Sequence, residues 1–170
     1  MIECGTWETG DEIHITYPIA QRIFYEKKDK RCIYDQFARQ VGINKGNFVE
    51  MVAKKYFEKR GYHVESYYYL VRNRNKRENM PGFTKLCHIF GEAKIRLLID
   101  EANKAFRSIG KKIGSGDPDL FVYNESTEER FFVEVKENDQ ITDNQKTLFP
   151  LIQKFLCPVF IARVIAEVVS

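Results

Sequence analysis

Apolar residues recur along the chain in two different periods, and the elements follow from where each period holds. Between residues 45 and 60, Phe48, Val52 and Tyr56 recur at i, i+4 and i+8, as do Val49, Ala53 and Phe57. That spacing predicts an amphipathic helix, with Asn44 placed to cap its start and Gly61 to stop it. Ile95, Leu98, Ile99, Ala102 and Phe106 predict a second helix over 91–108. A third is predicted over 142–156, with Leu148, Ile152 and Phe155 inward and Pro150 as a kink or break. Two shorter helices are predicted within 18–41, from Ile19, Ile23 and Phe24 and from Ile33, Phe37 and Val41. The strand signal, runs of β-branched and aromatic residues, falls at 13–17, 62–71, 119–123, 131–136 and 158–164. Residues 72–79, Pro81-Gly82 and 110–117 read as loops.

No repeat or Pro/Gly/Ser-rich linker interrupts these elements, so a single α/β domain over 1–170 is expected. Its parts are an N-terminal helical extension (1–44) and a core (45–165) into which about 72–112 is inserted. With 44% hydrophobic and 30% charged residues, wholesale disorder is excluded. No apolar run approaches the ~18 residues of a membrane span. The acidic residues Glu3, Glu8, Asp11 and Glu12 argue against a secretory or transit segment. Cys4, Cys32, Cys87 and Cys157 are scattered with no Cys-x-x-Cys pair, so neither a zinc knuckle nor a disulfide framework is expected. A reducing, intracellular compartment is the expectation: cytoplasm in a prokaryote or virus-infected cell, nucleus in a eukaryote. Cys87-His88 has no second metal-binding pair nearby and reads as structural, and the sequence offers no identifiable partner for His14 or His63.

The net charge of +3 says little about partners, but its distribution says more. Arg72, Arg74, Lys76 and Arg77 are crowded together with no acid before Glu78, and Lys111-Lys112 forms a second cluster. Both are candidates for contact with nucleic-acid phosphates.

The chemistry-bearing residues lie in the predicted hairpin of 119–123 and 131–136. Side chains on a strand alternate faces, so Glu134 and Lys136 share a face with Phe132, while Val133 and Val135 point the other way. A turn centred near Ser126-Thr127 puts Asp119 across from Glu134 or its neighbours. Two carboxylates and an ammonium then converge among apolar positions, which is costly unless the charges are used. A divalent cation resolves the repulsion, because hard oxygen ligands suit Mg²⁺.

Pro118-Asp119 followed by Glu134-Val135-Lys136 resembles the PD-(D/E)xK nuclease signature, and more closely the VRR-NUC family, a replication-repair branch of that superfamily. Members show Gly-x-Pro-Asp, a hydrophobic strand, Glu-Val-Lys, and then an Asp, a Ser or Thr, and a Gln. Gly116-Asp117-Pro118-Asp119 fits the first part, and Asp139, Thr142 and Gln145 fit the last, over residues 114–165. The resemblance implies a restriction-endonuclease-like core of helix, mixed sheet with a central hairpin, helix and strand. It implies an Mg²⁺- or Mn²⁺-dependent endonuclease acting on duplex or branched DNA in replication or repair, and a homodimer would suit the cutting of two strands. It implies metal ligands Asp119, Glu134 and the Val135 carbonyl, with Glu50 completing the site directly or through water, and catalytic roles for Lys136 and Gln145. Glu58, on the same helix as Glu50, is the rival. The long stretch between the first helix and Pro118-Asp119 departs from the family pattern and leaves the substrate class open.

Plainer readings stand beside these. The hairpin charges would otherwise form a surface ion pair worth under ~1 kcal/mol. Thr142-x-x-Gln145 is a helix capping box, a role compatible with function. Glu50 otherwise reads as a solvated helix residue, and 72–77 as a solvated loop. Residues 36–45 resemble the first half of a helix-turn-helix, which would make the chain a DNA-binding protein without catalysis. A degenerate nuclease fold kept as a subunit is the third alternative, against which the intact Asp-Glu-Lys set argues.

Overall fold

The computed structural model describes residues 12–18 and 48–167. The two helices expected within 18–41 and the helix-turn-helix resemblance at 36–45 lie outside the described residues. Ten elements follow in chain order. They are β1 (Glu12–Pro18), α1 (Phe48–Glu58), β2 (His63–Glu65), α2 (Arg74–Glu78), α3 (Pro81–Phe90), α4 (Glu92–Ser108), β3 (Leu120–Tyr123), β4 (Arg130–Lys136), α5 (Asp143–Phe155) and β5 (Val159–Glu167).

The strands form one mixed sheet in the order β1-β5-β4-β3-β2. β1 and β4 run parallel to β5, while β3 is antiparallel to both β4 and β2. β4 is therefore central, hydrogen-bonded on both edges and buried from Phe132 to Lys136. Alternation along it divides the core in two. Val133 and Val135, with Leu120, Val122, Ala162 and Val164, face α1, whose Phe48, Val49, Val52, Ala53 and Phe57 cover that side. Phe132, with Phe121 and Ile161, faces α3, α4 and α5 through Leu86, Phe90, Leu98, Phe106, Leu148 and Ile152. Each fully buried large side chain contributes roughly 1.5–3 kcal/mol relative to exposure. No helix of the described residues is long and apolar enough to cross a membrane.

Two expectations are corrected. The strand expected over 62–71 stops at Glu65, because the Leu70 and Val71 N–H groups donate to the Asp117 side chain (2.8 and 2.9 Å) instead of a neighbouring strand. The loop expected over 72–82 is mostly helical, with Asn73 capping α2 and Pro81 opening α3, where its missing N–H costs nothing. Of the kink or break expected at Pro150, the break is absent: α5 runs from Asp143 to Phe155 while Leu148, Phe149 and Ile152 bury its inner face. α4, expected as part of an insertion, supplies Ile95, Leu98, Ile99, Ala102 and Phe106 to the main core. α1 buries most of its surface against the sheet, which leaves no free face for a DNA-recognition helix.

Candidate active site

The β3–β4 register pairs Leu120 with Val133 and Tyr123 with Arg130, so Asp119 stands opposite Glu134, one step beyond the last pair. The turn centre and shared face expected from the sequence are both present. Asp119 Oδ2 accepts the Val135 N–H at 2.8 Å. Glu134, only 3% exposed, receives two donors on Oε1: Gln145 Nε2 at 2.5 Å and Lys136 Nζ at 3.0 Å. Its Oε2 is buried with no hydrogen-bond partner. Lys136 Nζ also meets Asp139 Oδ2 at 2.9 Å.

Gln145 makes the expected cap and a second contact, to the Glu134 carboxylate. Its Oε1 accepts the Thr142 N–H at 3.0 Å, closing the capping box at the start of α5, and its Nε2 is left to hold Glu134. The cap fixes the side chain, so α5 delivers a pre-oriented amide to the carboxylate.

The electrostatics follow from burial. Loss of solvent pushes Asp119 up to about 6, against the pull of the Val135 N–H and the Lys136 charge. Loss of solvent and then the Asp119 charge push Glu134 up to about 8, although Lys136 and Gln145 favour its ionised form. Burial would depress Lys136, but Asp139 and Glu134 outweigh it and hold the ammonium above its ordinary range. Burial would raise Asp139, but the bond to Lys136 outweighs that and holds it low. At neutral pH the carboxylate pair thus retains a proton beside a fully charged lysine.

A divalent cation fits these groups. The donors are hard carboxylate oxygens, one of them buried without a donor of its own, and a cation would replace the retained proton. Among the described residues no cluster of three or more His, Cys, Asp and Glu side chains forms, so Asp119 and Glu134 are not joined by a third such side chain. Glu50 lies half-buried in the first turn of α1, the helix that covers the opposite face of the sheet from α5. Glu58 lies at the other end of α1, 3.9 Å from Lys54.

The basic cluster is not a set of four free loop cations. Arg72 is half-buried, with its guanidinium over the Tyr69 ring (4.3 Å) and Nε 3.8 Å from Asp117. Arg77 is half-buried, donates to the Arg72 carbonyl and is lowered in pKa, burial outweighing its acidic neighbours. Arg74 is exposed and pairs with Glu78 at 2.7 Å. Lys76, Lys111 and Lys112 are exposed, the last two on the loop that leads into Asp119.

Sequence reasoning missed Tyr68 and Arg163, and it quoted Asp117 and Gly116 only as parts of a motif, without their bracing role. Tyr68, buried, donates its hydroxyl to the Pro118 carbonyl at 2.5 Å, and Asp117 accepts the two amides of Leu70 and Val71. Together they tie residues 68–71 to the residues before Asp119. Gly116, at φ +117°, lies where a Cβ would stand 3.3 Å from that of Asn144, so only glycine lets this loop pack on α5. Arg163, beside Lys136 in the β4–β5 register, donates to the Asp139 carbonyl at 2.7 Å. The available signals were a charge inside an apolar strand for Arg163 and an acid before Pro-Asp for Asp117.

No curated protein matches the chain. The VRR-NUC domain family matches residues 69–166, more than half of the chain and the whole of the Asp119–Glu134–Lys136–Gln145 arrangement. A central hairpin carrying opposed carboxylates and a buried lysine, on a sheet with the order β1-β5-β4-β3-β2, is the restriction-endonuclease-like arrangement of a nuclease, and this chain belongs to the VRR-NUC family.

Proposed function

We propose that the protein is an Mg²⁺- or Mn²⁺-dependent endonuclease that hydrolyses DNA phosphodiester bonds and prefers branched or interrupted DNA of the kind met in replication and repair. The observation that carries this reading is the buried, donor-free Glu134 Oε2 opposite Asp119, with a charged Lys136 on the same carboxylate.

Asp119, Glu134 and the Val135 carbonyl would hold the cation, with Glu50 on α1 as the further candidate. When bound, the cation supplies Lewis-acid neutralisation of charge on the phosphoryl oxygens. The chain's own groups do the rest. Gln145 fixes Glu134 from the α5 cap, and the Val135 N–H fixes Asp119. Lys136 is held as an ammonium, which suits it to stabilise charge developing on a non-bridging phosphate oxygen rather than to take a proton from water. In the reaction water adds to phosphorus, the bond from phosphorus to the leaving sugar oxygen breaks, and that oxygen gains a proton. Arg74, Lys76, Lys111 and Lys112 are the exposed cations proposed to contact flanking phosphates, Arg72 and Arg77 serving mainly to shape their support.

Incubation with linear, nicked, flap and four-way-junction DNAs tests the reading. Cleavage with Mg²⁺ or Mn²⁺, none in EDTA, and faster cutting of an interrupted DNA are expected. Intact DNA under every condition would overturn it. Sedimentation of the protein with and without DNA tests the homodimer proposed for two-strand cutting.

A further inference from the structure

Lys136 is the end of a chain of polar contacts that begins on the sheet's edge strand. Glu12 on β1 accepts Arg163 Nε at 3.1 Å. Arg163, on β5, donates Nη1 to the Asp139 carbonyl at 2.7 Å. Asp139 in turn holds Lys136 Nζ through its carboxylate at 2.9 Å. Residues 137–142 lie outside any helix or strand, so the position of the Asp139 carboxylate depends on what fixes that turn.

An ordinary surface ion pair would not merit this reading. The Arg163 side chain, however, is only 17% exposed, and its guanidinium makes one directed bond to a backbone carbonyl and another to a carboxylate. The planar fork loses little freedom in holding both. In the parallel register Arg163 lies beside Lys136, while β1 pairs with β5 along its full length from Glu12 to Pro18. Tyr17 of the same strand reaches Glu137, at the start of the turn, with its hydroxyl 3.4 Å from Oε1. β1 thus reaches the turn after β4 directly through Tyr17 and by way of Arg163 from Glu12, yet lies outside residues 69–166, which the family covers.

We infer that Arg163 and Glu12 are positioning residues for the Lys136 ammonium, acting through Asp139, and that the edge strand β1 is a working part of the catalytic unit. The inference rests on the nuclease reading only for the use to which Lys136 is put. The geometry of the chain stands without it.

The test has two readouts. The first, in metal-free protein, is competitive acylation of Lys136 by acetic anhydride at fixed pH, measured by mass spectrometry against exposed Lys146. Lys136 should be protected in the wild type. Arg163→Ala and Glu12→Ala should each speed its labelling severalfold, Arg163→Ala more, while Lys146 is unchanged. Glu12 is at the edge of the sheet and partly exposed, so Glu12→Ala keeps the test decisive should Arg163→Ala fail to fold. The second is steady-state cleavage, where Arg163→Ala should lower kcat about 10–100-fold with KM nearly unchanged, the usual cost of losing an outer support. Arg163→Lys, which keeps one of the two bonds, should recover part of it. Unchanged Lys136 labelling in both alanine variants would overturn the inference, as would a loss confined to KM. Absence of cleavage by the wild type would overturn the nuclease reading, while the labelling result would still decide the positioning.

Discussion

Ionising Asp119 and Glu134 together costs the metal-free protein stability, and the pH at which that happens is a property of the site. Both carboxyls are raised above the ordinary carboxylate range, to about 6 and about 8. The folded state therefore binds protons more tightly than the unfolded state across that interval. The stabilising contribution is full below about pH 4 and is lost as pH rises through the two folded values. In EDTA, the Tm should fall as pH is taken from about 5 to about 8.5, and Asp119→Asn should flatten that fall while still accepting the Val135 N–H. A wild-type profile no steeper than the variant's would mean that the carboxylates do not repel. Gln145→Ala removes the acceptor of the Thr142 N–H and the donor to Glu134, while Thr142 Oγ1 still caps the backbone N–H of position 145. It should cost about 1–2 kcal/mol in stability, as the loss of two hydrogen bonds does, measured by urea unfolding. Gln145→Glu should keep the cap, place a third carboxylate beside Glu134 and so lower activity more than stability.

At the scale of elements, the segment from Ser66 to Asn73 decides how the loop before Asp119 sits. Asp117→Ala would leave the amides of Leu70 and Val71 without acceptors and should cost about 2–5 kcal/mol by denaturant unfolding. A cost below ~0.5 kcal/mol would mean that water replaces the carboxylate freely. The helix α2, two residues beyond this brace, carries the exposed Arg74 and Lys76. Replacing both with Ser should leave folding within about 0.5 kcal/mol per site. It should flatten the dependence of log affinity on log salt by up to about two units on duplex DNA. An unchanged slope would direct attention to Lys111 and Lys112. The hairpin was legible because alternation and turn residues are local, and they fix Asp119 against Glu134 without knowledge of the rest. The 62–71 segment was not, because three consecutive tyrosines favour a strand while the competing acceptor, Asp117, is remote in sequence. α3 was hidden for another reason. Pro81-Gly82 looks like a turn, whereas Pro81 stands at the start of a helix and Gly82 lets its N–H reach the Tyr67 carbonyl at 2.7 Å.

Over the whole molecule, the sheet separates two cores and leaves the charged groups at one end of its central strands. The sequence motif identified the residues of that end, but only the packing reveals that Gln145 serves cap and carboxylate at once, and that Arg163 and Glu12 reach it from the other edge. A cation bound there stabilises only the folded state, by about 2.7 kcal/mol at a hundred times its Kd. Mn²⁺ should therefore raise the Tm of the wild type and not of Asp119→Asn, and an equal rise in both would place the ion elsewhere. The most direct test of the central claim, that this carboxylate pair performs phosphodiester hydrolysis, is single-turnover cleavage by wild type and Glu134→Gln in Mg²⁺, with DNA binding measured in parallel. The account predicts cleavage by the wild type and a loss of at least ~10²-fold in Glu134→Gln at nearly unchanged DNA affinity. Full cleavage by Glu134→Gln would contradict it.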